Sequence, residues 1–251
     1  SCMAAYLHIQ DHYLAGQYDS MQAEAPAVME LCRKHGEWTV YYNAWERLAE
    51  RYVWEKEYER AAAEAEAMRT DAAQRGNDYG QAMAYYVLAQ GYIVQDNHTE
   101  AASYYEQAIK LYPDSENPSM LNLLYYYYSQ ALLHLKAFDR MDELHQQWRQ
   151  MLDRYPVTDD SPKRDLYANW RVQYCYCTFL LQMEHGRYDK AAVTLDSAAY
   201  YEVIDGNIPA NVNLLMRYSS KLANARGHYA EALAFADSTL RMSAKIDDVN
   251  R

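Results

Sequence analysis

An aromatic or imidazole residue returns at near-constant intervals along this chain, each time after a short turn and ahead of an Ala-rich segment. The positions are Tyr18, Tyr58, His98, Phe138, Tyr188 and Tyr229, separated by 40, 40, 40, 50 and 41 residues. Self-similarity at a fixed period of this size marks stacked units, each too small to bury its own apolar face. The one long interval has a visible source. Pro156-Val157-Thr158-Asp159-Asp160-Ser161-Pro162-Lys163 is a polar loop with a proline near each end, and it absorbs about ten extra residues. Only 8 Gly and 6 Pro punctuate 251 residues, and good helix formers fill the rest, so each period reads as helices rather than strands.

Within a period the pattern divides into two helices, A before the anchor and B from it. Helix A of the third period carries Tyr85, Leu88, Ala89 and Tyr92; helix B carries Ala101, Tyr105 and Ala108, with Pro113 closing it. The second period has Trp45, Leu48, Ala49 and Tyr52, then Ala61 and Ala65. This resembles the tetratricopeptide repeat: a large residue, Leu, a small residue and Tyr, followed by Ala, an aromatic, Ala and Pro. The outer periods keep Gly16, Gly186 and Gly227 at the turn, and Ala191 and Ala232 on helix B. The resemblance implies an all-α solenoid of about six repeats, near 2–37, 38–77, 78–117, 118–160, 161–206 and 207–251, in one array over 1–251. A period longer than the family's usual ~34 residues implies helices about one turn longer. Pro26 falls inside the first helix B, where an interior proline costs about 3 kcal/mol, so that helix is expected to start near Glu24 or to kink.

Composition narrows function. Net charge is −11 with no basic run, which makes nucleic acid and anionic membrane poor partners. No apolar stretch approaches the ~20 residues a membrane helix needs. Tyr outnumbers Phe 27 to 3, the choice of a chain building half-buried polar surfaces as much as dry core. Cys175 and Cys177 point to different faces of a helix and should not pair, Cys32 sits on an apolar stripe, and the helical sequence straight after Cys2 argues against a lipid tether. No phosphate-binding glycine loop, H-E-x-x-H zinc motif or G-x-S-x-G elbow occurs. Cys175, Cys177 and His185 cannot reach one metal from a single helix. The eight His read as scattered, with His145 on a helix B, and none is given a spaced partner. No cofactor, metal or catalytic residue is expected.

Aligning the periods on their anchors yields two ladders on helix A. Twelve residues before the anchor stand Tyr6, Glu46, Tyr86, Tyr126, Tyr176 and Arg217; eight before it stand Gln10, Glu50, Gln90, Gln130, Leu180 and Lys221. The two rows lie one turn apart on the same helix face. In the tetratricopeptide family such positions point into a concave groove, where hydroxyls and amides would hydrogen-bond an extended peptide backbone. The alternative is that some members pack against the next repeat. Glu46 and Glu50 against Arg217 and Lys221 would give the groove a polarity. The Lys and Asn clamp by which some relatives hold a C-terminal carboxylate is replaced here by Tyr and Gln. The implied partner is a protein or peptide, and dimerisation, if any, would come through a parent protein. With no capping helix at Arg251, the parent protein is expected to continue. The long, Tyr-rich, degenerate repeats resemble sensory repeat regions of Bacteroidetes histidine kinases or transcriptional regulators, periplasmic when a membrane helix follows. A stand-alone cytoplasmic adaptor is the alternative, and an enzyme with a groove site the weakest reading.

Overall fold

A computed structural model of the protein describes residues 1–113, 116–206 and 208–249, the last eight as backbone only. Among them are twelve α-helices and no strand. The chain divides into two compact units, Ser1–Lys136 and Ala137–Arg251. The first holds α1 (Cys2–Leu14), α2 (Tyr18–His35), α3 (Trp38–Trp54), α4 (Tyr58–Gln74), α5 (Asp78–Val94), α6 (His98–Leu111) and α7 (Pro118–His134). The second holds α8 (Phe138–Asp153), α9 (Arg164–Glu184), α10 (Tyr188–Ile204), α11 (Pro209–Ala225) and α12 (Tyr229–Val249). Each of the six anchors is therefore the first residue of an even-numbered helix.

The turn before each anchor explains the period. The residue two places ahead adopts left-handed backbone in all six: Gly16, Lys56, Asp96, Lys136, Gly186 and Gly227, with φ of 69°, 65°, 59°, 54°, 66° and 79°. The next amide then reaches back to the helix just ended. Gln17 N donates to His12 O at 2.8 Å, Glu57 N to Tyr52 O at 2.8 Å and Asn97 N to Tyr92 O at 2.9 Å. Gly16 N donates to Tyr13 O at 3.1 Å, completing a Schellman closure that satisfies carbonyls the helix end would otherwise orphan. Three of these positions carry a side chain where glycine is at ease. A left-handed residue with Cβ costs ~1–2 kcal/mol, offset in part by the extra entropy glycine loses on folding. Lys56→Gly is therefore expected to raise stability by about 0.5–1 kcal/mol, read as a higher urea midpoint with an unchanged slope.

Packing follows from one stripe on helix B. Counting from the anchor, positions 3, 7, 10 and 14 further on are Met21, Ala25, Val28 and Cys32 in α2, and Ala61, Ala65, Met68 and Ala72 in α4, all buried. Against it lies the small residue of helix A, with Ala49 and Ala89 both fully enclosed. Small side chains there let the helices approach closely. In the first unit, α1, α3 and α5 stand side by side, while α2, α4 and α6 each meet the helix that follows. In the second, Val172, Phe179, Ala191, Leu195 and Ala198 form the equivalent core.

Pro26 does not set the start of α2. The helix runs unbroken in assignment from Tyr18 to His35 with the proline exposed inside it. One backbone bond, to the carbonyl of Gln22, is lost. The buried stripe from Met21 to Cys32 spans the proline and outweighs that local cost. The four cysteines are buried and form no disulfide. Burial, then contact with the Cys2 thiol, raises the Cys32 thiol well above its ordinary value, and burial pushes Cys175 up to about 12. Both stay protonated core groups.

Candidate functional site

The A helices of the first unit gather a set of polar side chains onto one face. Glu50 of α3 is at its centre, 4% exposed. Its Oε2 accepts from Tyr13 OH of α1 at 2.8 Å and from Arg47 Nη1 at 2.6 Å. Its Oε1 accepts from Tyr86 OH of α5 at 3.0 Å. Trp54 Nε1 in turn donates to Tyr13 OH at 3.0 Å, and the Arg47 guanidinium lies 5.0 Å from the centre of the Tyr13 ring. Three successive A helices thus share one carboxylate. Burial, then the charge of Glu50, pushes the Tyr13 and Tyr86 hydroxyls well above the ordinary phenol range, so both remain donors.

Glu46, one turn earlier on α3, is 1% exposed. Its Oε2 lies 3.4 Å from Arg47 Nε, and its Oε1 has no hydrogen-bond partner. Burial raises its carboxyl far above the carboxylate range, Arg47 pulls it down and the charge of Glu50 pushes it up again. Gln90 of α5, 2% exposed, leaves its Nε2 unpartnered as well. Tyr6 of α1 is buried beside Arg47, Glu46 and Glu50, and its hydroxyl is raised mainly by burial. Gln10, Tyr126 and Gln130 are half-buried, with Tyr126 edge-on to Tyr127 at 5.4 Å between ring centres. The structure thus brings Tyr6, Glu46, Glu50 and Tyr86 into one cluster. It adds Tyr13 and Arg47, which lie off the two ladders.

In the second unit the ladder residues part company. Tyr176 of α9 is buried, its hydroxyl 2.9 Å from Glu202 Oε1 and 3.0 Å from the Asn211 carbonyl. Burial raises both Tyr176 and Glu202, so this hydroxyl serves as donor in the interior. Arg217 and Lys221 are exposed on α11, with Lys221 Nζ 3.9 Å from Glu184 Oε1. Leu180 packs half-buried against the core. His145 of α8 is 5% exposed and lies 3.2 Å from Thr178 Oγ1 through its Nδ1; burial holds it down to about 4, hence neutral.

Residues 82–115, spanning most of α5, all of α6 and the segment after it, match the family model described as tetratricopeptide repeat. The chain carries a tetratricopeptide repeat. Solved structures extend the likeness to the fold as a whole. BtubC from P. vanneervenii matches with a TM-score of 0.67 at 18% identity, over 92% of each chain. The apo form of RapI matches at 0.57 and 12%, over 98% of this chain and 84% of that one. A Podosopora anserina protein of nearly identical TPR-like repeats matches at 0.59 and 13%, over 82% and 95%. No curated protein matches the chain at the level of sequence. The fold is an α-solenoid of tetratricopeptide type, and at these identities fold is all the likeness conveys.

The hairpin of α1 and α2 holds a further polar group. His8 and His12 of α1 are four apart, on one face, and Glu24 of α2 lies against both. Contrary to the expectation that no histidine has a spaced partner, His8 and His12 are partners of each other and of Glu24. The i, i+4 spacing was available as a signal; the contribution of Glu24 was not, because it comes from the other helix of the hairpin. Among the described residues no helix is long and apolar enough to cross a membrane.

Proposed function

We propose that this chain is a non-catalytic repeat module that binds a protein or peptide partner along the A-helix face of its first unit. The observation that carries the reading is the pair of buried, unpartnered polar atoms on that face, Glu46 Oε1 and Gln90 Nε2. Native interiors rarely leave such groups unsatisfied, and each one invites an explanation. A peptide group offers one N–H and one C=O, the complement of a carboxyl oxygen and an amide donor. Half-buried Gln10, Tyr126 and Gln130, together with Trp54 at 48% exposure, supply amides and aromatic area on the A helices α1, α7 and α3.

The test is selection from a displayed library of extended peptides on the purified chain. The best peptide should lose more than about tenfold in affinity with Tyr126→Ala or Gln130→Ala, a loss of ~1.4 kcal/mol, while the unfolding midpoint stays put. Indifference to both changes, or failure to select any peptide, overturns the assignment of this face.

Within that role the module is the sensory or regulatory input region of a larger bacterial signalling protein, a histidine kinase or a transcriptional regulator, and it works outside the cytoplasmic membrane. Support comes from the resemblance of the long, tyrosine-rich repeats to Bacteroidetes regulators. A stand-alone cytoplasmic adaptor is the alternative. A membrane helix with a kinase or DNA-binding region in the adjoining reading frame would establish the first; a natural stop without either would establish the second.

A further inference from the structure

We propose that His8, His12 and Glu24 form a binding site for a divalent transition-metal ion of the zinc type. The two imidazoles stand one helical turn apart on α1, with ring centres 4.6 Å apart, the spacing by which a helix presents two nitrogens to one ion. Glu24 reaches across from α2 and places one oxygen near each ring: Oε2 is 3.4 Å from His8 Nε2 and Oε1 is 3.6 Å from His12 Nε2. A tetrahedral ion with nitrogen and oxygen ligands at ~2.0–2.1 Å requires ligand-to-ligand distances of about 3.4 Å. The donor atoms all lie within 4.8 Å of one another, so small side-chain rotations close the set.

The second observation concerns orientation. His12 Nδ1 is 2.7 Å from Gln17 Oε1, at the turn between α1 and α2. An amide oxygen only accepts, so Nδ1 donates to it and Nε2, on the Glu24 side, is the ring nitrogen left to bind a metal. That is the outer-shell arrangement by which proteins fix the tautomer of a metal-binding histidine. A metal ion would take the place of a proton on Nε2, between the ring and Glu24. Two imidazoles and one carboxylate suit zinc, cobalt, nickel or copper better than calcium or magnesium. The side chain of His8 is 62% exposed and that of Glu24 44%, so solvent reaches the site and water can take the fourth position. An ion held there would tie α1 to α2 and stabilise the folded hairpin by linkage.

The test uses untagged, chelator-stripped protein over the whole chain, titrated with zinc by calorimetry and with cobalt by visible absorption. The expected result is one saturable site per chain and a zinc-dependent rise in the thermal midpoint that chelator reverses. His8→Ala, His12→Ala and Glu24→Gln should each weaken binding by more than about tenfold, and Gln17→Ala by about 10–100-fold. His228→Ala, in the other unit, should change nothing. Because His8 is largely exposed, His8→Ala folds whatever the role of the ring. Absence of saturable binding at tens of micromolar metal, or binding that survives His8→Ala and His12→Ala together, overturns the site.

Discussion

Glu50→Ala should cost the first unit about 3–5 kcal/mol, enough to show as a large fall in the urea midpoint of the purified chain. The magnitude follows from what the carboxylate holds. It is 4% exposed and accepts from Arg47, Tyr13 and Tyr86, which sit on three different helices. Removing it leaves a guanidinium that is itself only 23% exposed, with Glu46 at 3.4 Å as its remaining acidic neighbour. The buried Tyr86 hydroxyl and the half-buried Tyr13 hydroxyl lose their acceptor as well, and an unsatisfied buried donor costs more than the bond it made was worth. Tyr86→Phe is the graded control, since it removes one donor and leaves the ion pair, for about 1 kcal/mol. A loss under ~1 kcal/mol in Glu50→Ala would show that the cluster is solvated. Its hydroxyls and guanidinium would then be available to a ligand rather than engaged in joining α1, α3 and α5.

That choice between joining helices and meeting a ligand is where the sequence stopped being informative. Counting back from the anchors places Glu46, Glu50, Tyr86 and Gln90 on one face correctly in helical terms, because a rigid turn with a left-handed residue two places before each anchor keeps the register. The count carries no information about depth. A carboxylate as enclosed as Glu50 is tolerated because Arg47 pairs with it and Tyr13 and Tyr86 donate to it from other helices, and no pattern within α3 signals those two contacts. Pro26 illustrates the opposite error. Its local penalty is real, but the stripe of Met21, Ala25, Val28 and Cys32 runs past it, and buried packing on one face decided the helix. His8 and His12 were legible as a pair and Glu24 was not, since a contact between two helices of a hairpin depends on how they pack.

Gly80→Ala tests the packing of repeat on repeat at its tightest point. Inside a helix this substitution ordinarily gains about 1 kcal/mol, because alanine loses less backbone entropy. Gly80 sits in the first turn of α5, where its amide donates to the Asn77 cap at 2.7 Å. A Cβ built there would lie 2.6 Å from Cε2 and 2.7 Å from Cδ2 and Cζ of Tyr42 on α3. The Tyr42 ring is fully buried and tethered by its hydroxyl to Asp71 Oδ2 at 2.9 Å, so it cannot swing aside without breaking that bond. Overpacking a rigid ring costs about 1–3 kcal/mol, sometimes more, and here it should exceed the propensity gain, for a net loss near ~2 kcal/mol. Gly91, eleven residues on in the same helix, meets nothing within 4 Å, so Gly91→Ala should show the ordinary gain of about 1 kcal/mol. The same chemical change in one helix is thus expected to act with opposite signs. In a Tyr42→Ala background the cost at Gly80 should vanish, and a cycle of the four proteins isolates the contact. If Gly80→Ala stabilises the chain as Gly91→Ala does, then α5 does not approach α3 as closely as this geometry requires.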